Sequence, residues 1–580
     1  MKFARTGLLT TAVGALLGAL ALATPATADA AGNRFRATIP DGGQGEAGEL
    51  RTPLQFEEEA ANNPLAGSQV LFSRCRRAPF GTTGLYGVIT APEHDAIVGD
   101  TTFAFADGST CYNPQNEQNI VINPANSLNV VTSANDYRAD AHAVYYSGDG
   151  GHSWGNVVLP GWTPSTGGAG QFSHMNSCGD PVLAFSRDGS RLYYTGLVCN
   201  FDKFPRTMSG IAIAVSTDGG ATWSPPTMVD YRASGDFFSD KEWITTGPGN
   251  TVYLTWTKFY QGPRGLGYLR SPIVMSSSRD GGKTWSSVKE VSDAAHPYNQ
   301  GSQVVVSRNG TVYVAYEGSD PDTGYATDQL VVARSVNGGT SFTNGQIARV
   351  YDDLDCYPFQ RPGAQGRQTL SFEQFRINSF PSMAIDPTND KLAIVWADNE
   401  GSGTCGNGGF GFTGTTSNQV KLVTSSDGLN WTPPRTITTG PADKVYPSVG
   451  ANFGRVAVGY YTRAYSPVPS GAPGDATRGC GITELDSVTG LTVLPTDAAR
   501  AAAPVCLDWA LRSSTDNFAK ETRVTSESSN PYTLFSGSFI GDYTGTAVAG
   551  DGKAVSVWTD FRGNPGTTSP NQDVVVRTEL

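Results

Sequence analysis

The sequence predicts an all-β protein: a single β-propeller of seven four-stranded blades, or six if one hairpin lies outside the ring, closed by an N-terminal strand. Three observations predict this fold. An Asp-Gly octapeptide recurs along the chain, a β-hairpin pattern recurs between its copies, and the last hairpin unit stops one strand short of a complete blade.

The octapeptide occurs in three close copies and two altered ones. The copies are "SGDGGHSW" (147–154), "STDGGATW" (216–223), "SRDGGKTW" (278–285), "SVNGGTSF" (335–342) and "SSDGLNW" (425–431). An acidic or amide side chain recurs at Asp149, Asp218, Asp280, Asn337 and Asp427. Such a side chain accepts hydrogen bonds from turn N–H groups, and the Trp buries a large area. We predict structural turn residues rather than catalytic acids, because copies in separate blades cannot converge on one site.

Seven hairpin-like stretches alternate with these octapeptides. They span residues 119–138, 181–199, 242–258, 302–318, 381–398, 447–463 and 544–562. Each places Val, Ile, Tyr or Trp on both sides of a turn rich in Gly, Asn or Asp, which is typical of a β-hairpin. In the first five units an octapeptide turn follows the hairpin, and this gives the four strands of a propeller blade.

The last unit lacks its fourth strand. After the final hairpin only "QDVVVRTEL" (572–580) remains, which is enough for one strand. An open sheet edge needs a partner. We predict that a strand from residues 68–106, such as "QVLFSR" or "YGVIT", pairs with this edge and closes the ring.

The N-terminal residues predict export. Residues 1–30 combine a basic start, an apolar run and small-residue A-x-A patterns, which indicate a secretory signal cut after Ala28 or Ala30. Residues 31–67 are predicted to be a loosely packed arm and residues 68–580 the propeller. We expect a secreted, extracellular monomer. Its net charge of −12 and its lack of a basic run argue against nucleic acid or membrane as a partner.

The eight cysteines predict disulfides rather than a metal site, because their number is even and none forms CxxC. Pairing of sequence neighbours gives Cys75–Cys111, Cys178–Cys199, Cys356–Cys405 and Cys480–Cys506, although the sequence leaves other connectivities open. The five histidines show no zinc-ligand spacing. We expect no cofactor. A structural Ca²⁺ in the acidic loops 319–328 or 351–355 is the alternative to solvated loops.

The octapeptide resembles the Asp-box, or BNR repeat, of the sialidase superfamily. "GDYTG…VWTDFR" and "DKEW" are also similar to segments of secreted bacterial sialidase-like proteins, and the resemblance covers roughly residues 117–580. It implies that each octapeptide joins the third and fourth strands of a blade, on the face opposite the active site. The other face, called the top face below, then collects the starts of first strands and the ends of second strands.

The top face supplies the candidate site residues. The catalytic candidates are Asp240, Glu242, Asp398 and Tyr543, and the substrate-binding candidates are Arg138, Lys241, Arg376, Arg463 and Arg562. The resemblance implies an Arg triad for a substrate carboxylate, a Tyr nucleophile with a Glu partner, and an Asp acid. The family's F/Y-R-I-P motif is matched only in part, by "RFRATIP" (34–40) and by "FRINSFP" (375–381), which contains Arg376.

Several candidates also have a structural interpretation. Tyr543 can be an inner-strand residue that packs on its neighbour. Asp542 and Arg562 stand at the open ends of one predicted hairpin and can pair with each other. Lys241, between two acids, fits either a proton-transfer group or a ring of ion pairs that ties blades together.

The sequence therefore predicts a secreted sialidase-like glycoside hydrolase that acts on terminal sugars of glycans. The alternative is a non-catalytic propeller that binds a glycan or a protein. The expected partner is a glycan or glycoconjugate. Convergence of three arginines on one pocket, beside a Tyr–Glu contact, would favour the sialidase.

Overall fold

A computed structural model describes residues 92–580 apart from several loop segments. The ranges outside the described residues are 1–91, 98–102, 105–109, 112–113, 138–140, 201–207, 233–236, 262–267, 326, 351–356, 359–367, 400–414, 468–479, 481–483, 486–491, 494–502, 532–538, 563–571 and 579. The predicted signal peptide, the arm, the segments "QVLFSR" and "YGVIT", and Arg138 lie in these ranges.

Seven four-stranded antiparallel sheets form the blades of the propeller, which confirms the predicted fold class and the higher blade number. Blade 1 contains Gln115–Asn123, Asn126–Asp136, Ala143–Ser147 and Gly155–Val158. Blade 2 contains Asn176–Phe185, Leu192–Asn200, Met208–Ser216 and Thr227–Arg232. Blade 3 contains Phe237–Thr246, Val252–Gln261, Ile273–Ser278 and Lys289–Glu290, and Tyr268–Arg270 adds a short strand to it.

The remaining blades repeat this order. Blade 4 contains Asn299–Val306, Val312–Ser319, Asp328–Ser335 and Thr343–Val350. Blade 5 contains Ser382–Ile385, Leu392–Asp398, Gln419–Ser425 and Arg435–Thr436. Blade 6 contains Lys444–Asn452, Arg455–Thr462, Asp508–Ser513 and Thr522–Arg523. Blade 7 contains Gly545–Val548, Ala554–Asp560, Asp573–Arg577 and, from the N-terminal side of the chain, Glu93–Asp95.

Short elements complete the described residues. Two small hairpins pair Phe103–Ala104 with Thr110–Cys111, and Glu484–Leu485 with Thr492–Val493. The 3₁₀ turns are Pro164–Thr166, Gly170–His174, Pro321–Thr323 and Ser514–Asp516. None of the helices in this part of the chain has the length and apolar character needed to cross a membrane.

The strand Glu93–Asp95 closes the ring by antiparallel pairing with Asp573–Arg577. It falls within the predicted region 68–106, although it is not one of the two segments proposed there. The buried carboxylate of Glu93 accepts hydrogen bonds from the Ser526 backbone N–H at 2.6 Å and from Arg562 Nη1 at 2.9 Å. The closing strand is therefore tied both to its own blade and to blade 6.

The first strand of each blade is the innermost one, because the first strands of neighbouring blades contact each other around the whole ring. The hydrophobic core lies between the blades. Second strands contribute large, fully buried aromatic side chains to it, among them Trp256, Tyr316, Trp396 and Trp558. Packing of the sheets through such side chains holds the inner strands around one axis.

The octapeptides connect third and fourth strands in blades 1 to 5, on the face away from the starts of the first strands. In blade 2, Asp218 Oδ1 accepts hydrogen bonds from Ser216 Oγ at 2.8 Å and from the Thr222 backbone N–H at 2.9 Å. Trp223 Nε1 donates to the Gly220 carbonyl at 2.9 Å. Equivalent turn hydrogen bonds are made by Asp149, Asp280, Asn337 and Asp427.

Two of the four predicted disulfides lie in the described residues. Cys178–Cys199 joins the two ends of the blade 2 hairpin, and Cys480–Cys506 lies between the second and third strands of blade 6. The predicted pairs Cys75–Cys111 and Cys356–Cys405 each involve at least one residue outside the described ranges.

We predict that Glu93→Gln destabilises the protein by about 1–3 kcal/mol, because the Ser526 N–H and Arg562 then lose a charged, buried acceptor. Urea denaturation measures this change. Glu290→Gln is the control, since Glu290 pairs with Arg270 at a site where both side chains are more than 40% exposed. The control should cost less than about 1 kcal/mol. Equal losses for both variants would contradict the role of Glu93 in ring closure.

A second prediction concerns the octapeptide turns. Asp218→Ala should cost about 1–3 kcal/mol in the free energy of unfolding, because the Thr222 N–H loses its acceptor. Asp218→Asn should cost clearly less, since Asn337 makes the same turn contacts in blade 4. Denaturation of the two variants side by side checks this order, and an Asn variant as unstable as the Ala variant would be the contrary result.

Candidate active site

A bulge interrupts the first strand at the same place in five blades. The pairing with the second strand shifts register between Asn116 and Asn119, Gly179 and Val182, Asp240 and Trp243, Gln300 and Gln303, and Val445 and Ser448. Bulges bend a strand and re-aim a side chain, and they are common next to active sites. Here they lie near the starts of the innermost strands, at the top face.

One residue in each of these bulges has a positive φ angle. The values are 59° for Glu117, 56° for Asp180, 49° for Lys241, 65° for Gly301 and 48° for Tyr446. This backbone region costs a non-glycine residue on the order of 1–3 kcal/mol, and such residues cluster at functional sites. Blades 1, 2 and 3 thus place a charged residue at the strained position.

Blade 7 reaches the axis through Gly541, whose φ angle is 94°. A Cβ atom on this glycine would lie 2.7 Å from the backbone nitrogen of Glu117, which is too close for any larger residue. The glycine therefore allows blade 7 to approach blade 1. This approach brings the next residue, Asp542, to the same point as Glu117.

Lys241 is the centre of the charged groups at the axis. Its Nζ lies 3.0 Å from Glu117 Oε1, 3.3 Å from Asp180 Oδ1 and 3.0 Å from Asp542 Oδ2. The three carboxylates come from blades 1 and 2 and from the entry to blade 7. One ammonium group thus connects four elements of the ring.

Arg376 is the second cation at the axis, on the segment that leads into blade 5. Its guanidinium binds Asp542 through two contacts, Nε to Oδ1 at 2.7 Å and Nη2 to Oδ2 at 2.5 Å. The Tyr446 hydroxyl donates to the Arg376 carbonyl, and Asn378 Nδ2 donates to the Asp542 carbonyl at 3.2 Å. We call Glu117, Asp180, Lys241, Arg376 and Asp542 the axial cluster.

The predicted pairing of Asp542 with Arg562 is wrong. Asp542 pairs with Lys241 and Arg376 instead, because the segment before blade 7 turns it toward the axis. Arg562 pairs with Asp560, two residues away, and with Glu93 of the closing strand.

Two carboxyl groups at the axis have raised pKa values. Burial raises the pKa of Asp180, the negative charge of Glu117 raises it further, and Lys241 opposes both effects. Burial also raises the pKa of Glu242, followed by the charge of Asp180. Both oxygens of the Glu242 carboxyl are buried, with no hydrogen-bond partner among the described residues. Burial thus opposes the ionised form of both groups.

Tyr543 lies against the same cluster. Lys241 Nζ is 5.3 Å from the centre of its ring, and Trp243 packs edge-on against it. Its hydroxyl is buried, without a hydrogen-bond partner in the described part of the chain. Burial raises the pKa of Tyr543, and the charges of Asp180 and Glu117 raise it further.

The structure separates the other predicted candidates from this cluster or gives them other contacts. Asp240 is buried and accepts a hydrogen bond from Gln300 Nε2 at 2.9 Å. Asp398 is buried at the end of the second strand of blade 5. Arg463 pairs with Asp443 and lies 3.6 Å from Glu373 Oε1. Of the described arginine candidates, Arg376 therefore belongs to the axial cluster, whereas Arg463 and Arg562 pair elsewhere.

Sequence reasoning missed Glu117. It stands in "QNEQN", just before the predicted hairpin 119–138, and the first strand in fact begins at Gln115. A short polar segment precedes each of the first three predicted hairpins, and this signal could have found Glu117. Asp180 and Lys241 occupy the corresponding place in "CGDPV" and "DKEW".

In the acidic loop 319–328, a candidate Ca²⁺ site, an acidic side chain forms a hydrogen bond within the loop itself. Asp320 Oδ1 accepts a hydrogen bond from the Asp322 N–H at 2.9 Å and so caps the 3₁₀ turn Pro321–Thr323. Within the described ranges, no group of three or more His, Cys, Asp or Glu side chains could hold a metal ion. The second acidic loop, 351–355, lies outside the described residues.

No protein-family model and no curated protein matches the chain. Among solved structures, a protein of unknown function from Dyadobacter fermentans DSM 18053 is 12% identical over 70% of this chain and 94% of that one, with a TM-score of 0.38. A Trypanosoma rangeli sialidase in complex with sialic acid is 12% identical over 62% of this chain and 55% of its own, with a TM-score of 0.35. The GH93 α-L-arabinofuranosidase of Fusarium graminearum, in complex with arabinobiose, is 13% identical over 64% and 93%, with a TM-score of 0.39. These similarities are too low to transfer an activity, and the seven-blade fold rests on the strand pairing described above.

The raised pKa of Glu242 gives a prediction for the pH dependence of stability. In the folded protein the pKa exceeds the ordinary 4.5, so between the two values the folded state binds more protons than the unfolded state. Stability from this group is full below about pH 4.5 and is lost as pH rises toward the folded pKa. Glu242→Gln removes that loss, so the Tm of the variant minus that of the wild type should increase from about pH 4 to about pH 8.

Thermal unfolding across this pH range measures the difference. Glu290→Gln is again the control, because it replaces a carboxylate that is exposed rather than buried. A flat difference for Glu242→Gln would contradict a buried neutral carboxyl at position 242.

Proposed function

We propose that the protein is a glycoside hydrolase that acts on terminal sugars of glycans at its top face, and that its substrate sugar carries no carboxylate. The observation that carries the proposal is the group of buried carboxyl side chains next to Lys241. Burial opposes the ionised form of Glu242 and Asp180, whereas Glu117 contacts Lys241 as an ion pair.

Glycoside hydrolysis needs these two states of a carboxyl group. A carboxylic acid protonates the leaving oxygen, and a carboxylate either attacks the sugar or activates a water molecule. Burial of one carboxyl group and pairing of the other with a cation assign the two roles. Glu242 is proposed as the general acid, because burial favours its protonated form, and Glu117 is proposed as the carboxylate that acts opposite it.

The axial cluster argues against a sialic acid substrate. Binding of a sugar carboxylate calls for free guanidinium groups, since Arg binds carboxylates in a bidentate way. Arg376 already forms a bidentate pair with Asp542. Arg463 and Arg562 pair with other acids. The raised pKa of Tyr543 also makes its hydroxyl a weak nucleophile. A neutral sugar fits the site better.

One observation favours a second candidate, a non-catalytic propeller that binds a glycan at the same face. Lys241 and Arg376 are 6% and 3% exposed, and the carboxylates that they contact belong to the protein itself. In that case the axial cluster acts as a structural tie between blades. The two candidates differ in whether a glycosidic bond is broken.

The test is a panel of chromogenic α- and β-glycosides of neutral sugars, with a sialoside for comparison. Glu242→Gln should lower kcat/KM on the accepted glycoside by at least about 100-fold, as expected for loss of a general acid. The matched control is Glu373→Gln. Glu373 is also fully buried with a pKa raised by burial, but it neighbours Arg463 rather than Lys241.

The control variant should retain kcat/KM within about twofold, since removal of a remote buried carboxyl leaves the chemistry intact. Three results would contradict the proposal. They are equal losses in the two variants, preferential cleavage of the sialoside, and binding on a glycan array by a folded protein that cleaves no member of the panel. The last result supports the non-catalytic candidate.

A further inference from the structure

We infer that a second sugar-binding site, specific for a sugar that carries an acidic group, lies on the face opposite the axial cluster, between blades 3 and 4. A cavity of about 320 Å³ opens there between two octapeptide turns. Arg279, Trp285 and Lys289 from blade 3 and Gly338, Gly339 and Thr340 from blade 4 line it. Its volume is at the lower end of small-ligand pockets, which start near 300 Å³.

The cavity is built by a close approach of the two turns. Gly339 has a φ angle of 79°, and a Cβ atom there would lie 2.0 Å from the Met275 side chain. The glycine therefore allows the blade 4 turn to lie directly beside the third strand of blade 3. Met275 is buried and forms an apolar part of the lining.

Trp285, like Phe342 and Trp431 in the last two octapeptides, is less deeply buried than the first two tryptophans. Trp154 and Trp223 are 7% and 8% exposed and belong to the core, whereas Trp285 is only partly buried and lines the cavity. Its Nε1 donates to the Gly282 carbonyl at 3.2 Å, so the turn fixes the indole as in the other copies. A fixed aromatic ring beside polar groups is the kind of surface on which a sugar ring packs.

Two cationic side chains at the cavity favour a ligand that carries a negative charge. Arg279 and Lys289 both line the cavity, in a protein whose net charge is −12, so a positive site here is a local feature and not a consequence of the overall charge. Arg binds sulfate and carboxylate groups in a bidentate way. The neighbouring acid, Asp280, is engaged by its own turn, where it accepts from the Thr284 N–H and hydroxyl.

The blade 4 turn lacks the negative charge that the other octapeptides carry. Asn337 stands where the other four have Asp, and it keeps the turn. Its Oδ1 accepts from the Thr340 N–H at 3.1 Å, and its Nδ2 donates to Ser341 Oγ at 2.9 Å. The wall of the cavity next to Arg279 and Lys289 is thus uncharged, as an anionic ligand requires.

Calorimetric titration of the full-length protein tests the site. The probes are glucose 6-sulfate, glucuronate, uncharged glucose and inorganic sulfate. We expect at least one of the two acidic sugars to bind at least about tenfold more tightly than both glucose and sulfate, because the site offers the aromatic surface and the cations together. The sugar that binds distinguishes a sulfate from a carboxylate as the acidic group. Sulfate that binds as tightly as both acidic sugars would overturn the proposal.

Substitutions test whether the residues that line the cavity bind the acidic sugar. Arg279→Gln with Lys289→Gln should weaken acidic-sugar binding by at least about tenfold. Asn337→Asp should weaken it by about threefold through an added negative charge, while the turn remains of the type seen in blades 1 to 3. Lys283→Gln is the matched control. It removes an exposed cation from the same octapeptide, outside the cavity lining, and should leave binding unchanged.

An unchanged affinity in the double variant, or an equal loss in Lys283→Gln, would overturn the inference. Because the cavity and the axial cluster lie on opposite faces, the double variant should keep the wild-type kcat/KM on a neutral glycoside. The result is therefore independent of whether the proposed hydrolase activity is found.

Discussion

The contact between one ammonium group and three carboxylates is the interaction on which the centre of the propeller depends. Lys241 lies within 3.3 Å of Glu117, Asp180 and Asp542, which belong to three separate segments of the chain. A buried charge is costly unless it is paired, so these groups are compatible with folding only when the ring brings them together. The strand bulges and Gly541 are the local features that make this convergence possible. The ring is thus held on two sides, by Lys241 at the axis and by Glu93 at the outer edge of the closing strand.

The sequence predicted the fold well because the fold is made of local repeats. Hairpins and octapeptide turns involve residues close in sequence, and each copy repeats the same pattern of β-formers and turn residues. The closing strand was placed only within a range of residues. Glu93–Asp95 is three polar residues long, and its place in the sheet is set by the partner edge rather than by its own composition.

The axial cluster was predicted only in part. Lys241, Arg376 and Asp542 were placed on the correct face, since that follows from the direction of the strands. Which residues meet there depends on the bulges and on contacts such as Arg376 with Asp542, 166 residues apart. A hairpin pattern in the sequence predicts neither the bulges nor such long-range contacts. For the same reason Glu117 was missed, and Arg562 was assigned Asp542 as its partner instead of Asp560 and Glu93.

A neutral Glu242 next to the ion pair of Lys241 and Glu117 is what would allow acid-assisted cleavage of a glycosidic bond. Infrared difference spectroscopy on protein with ¹³C-labelled glutamate measures this state directly. At neutral pH we predict a carboxylic acid band in the wild type that is missing in Glu242→Gln. A spectrum in which the two proteins differ only by a carboxylate band would contradict it.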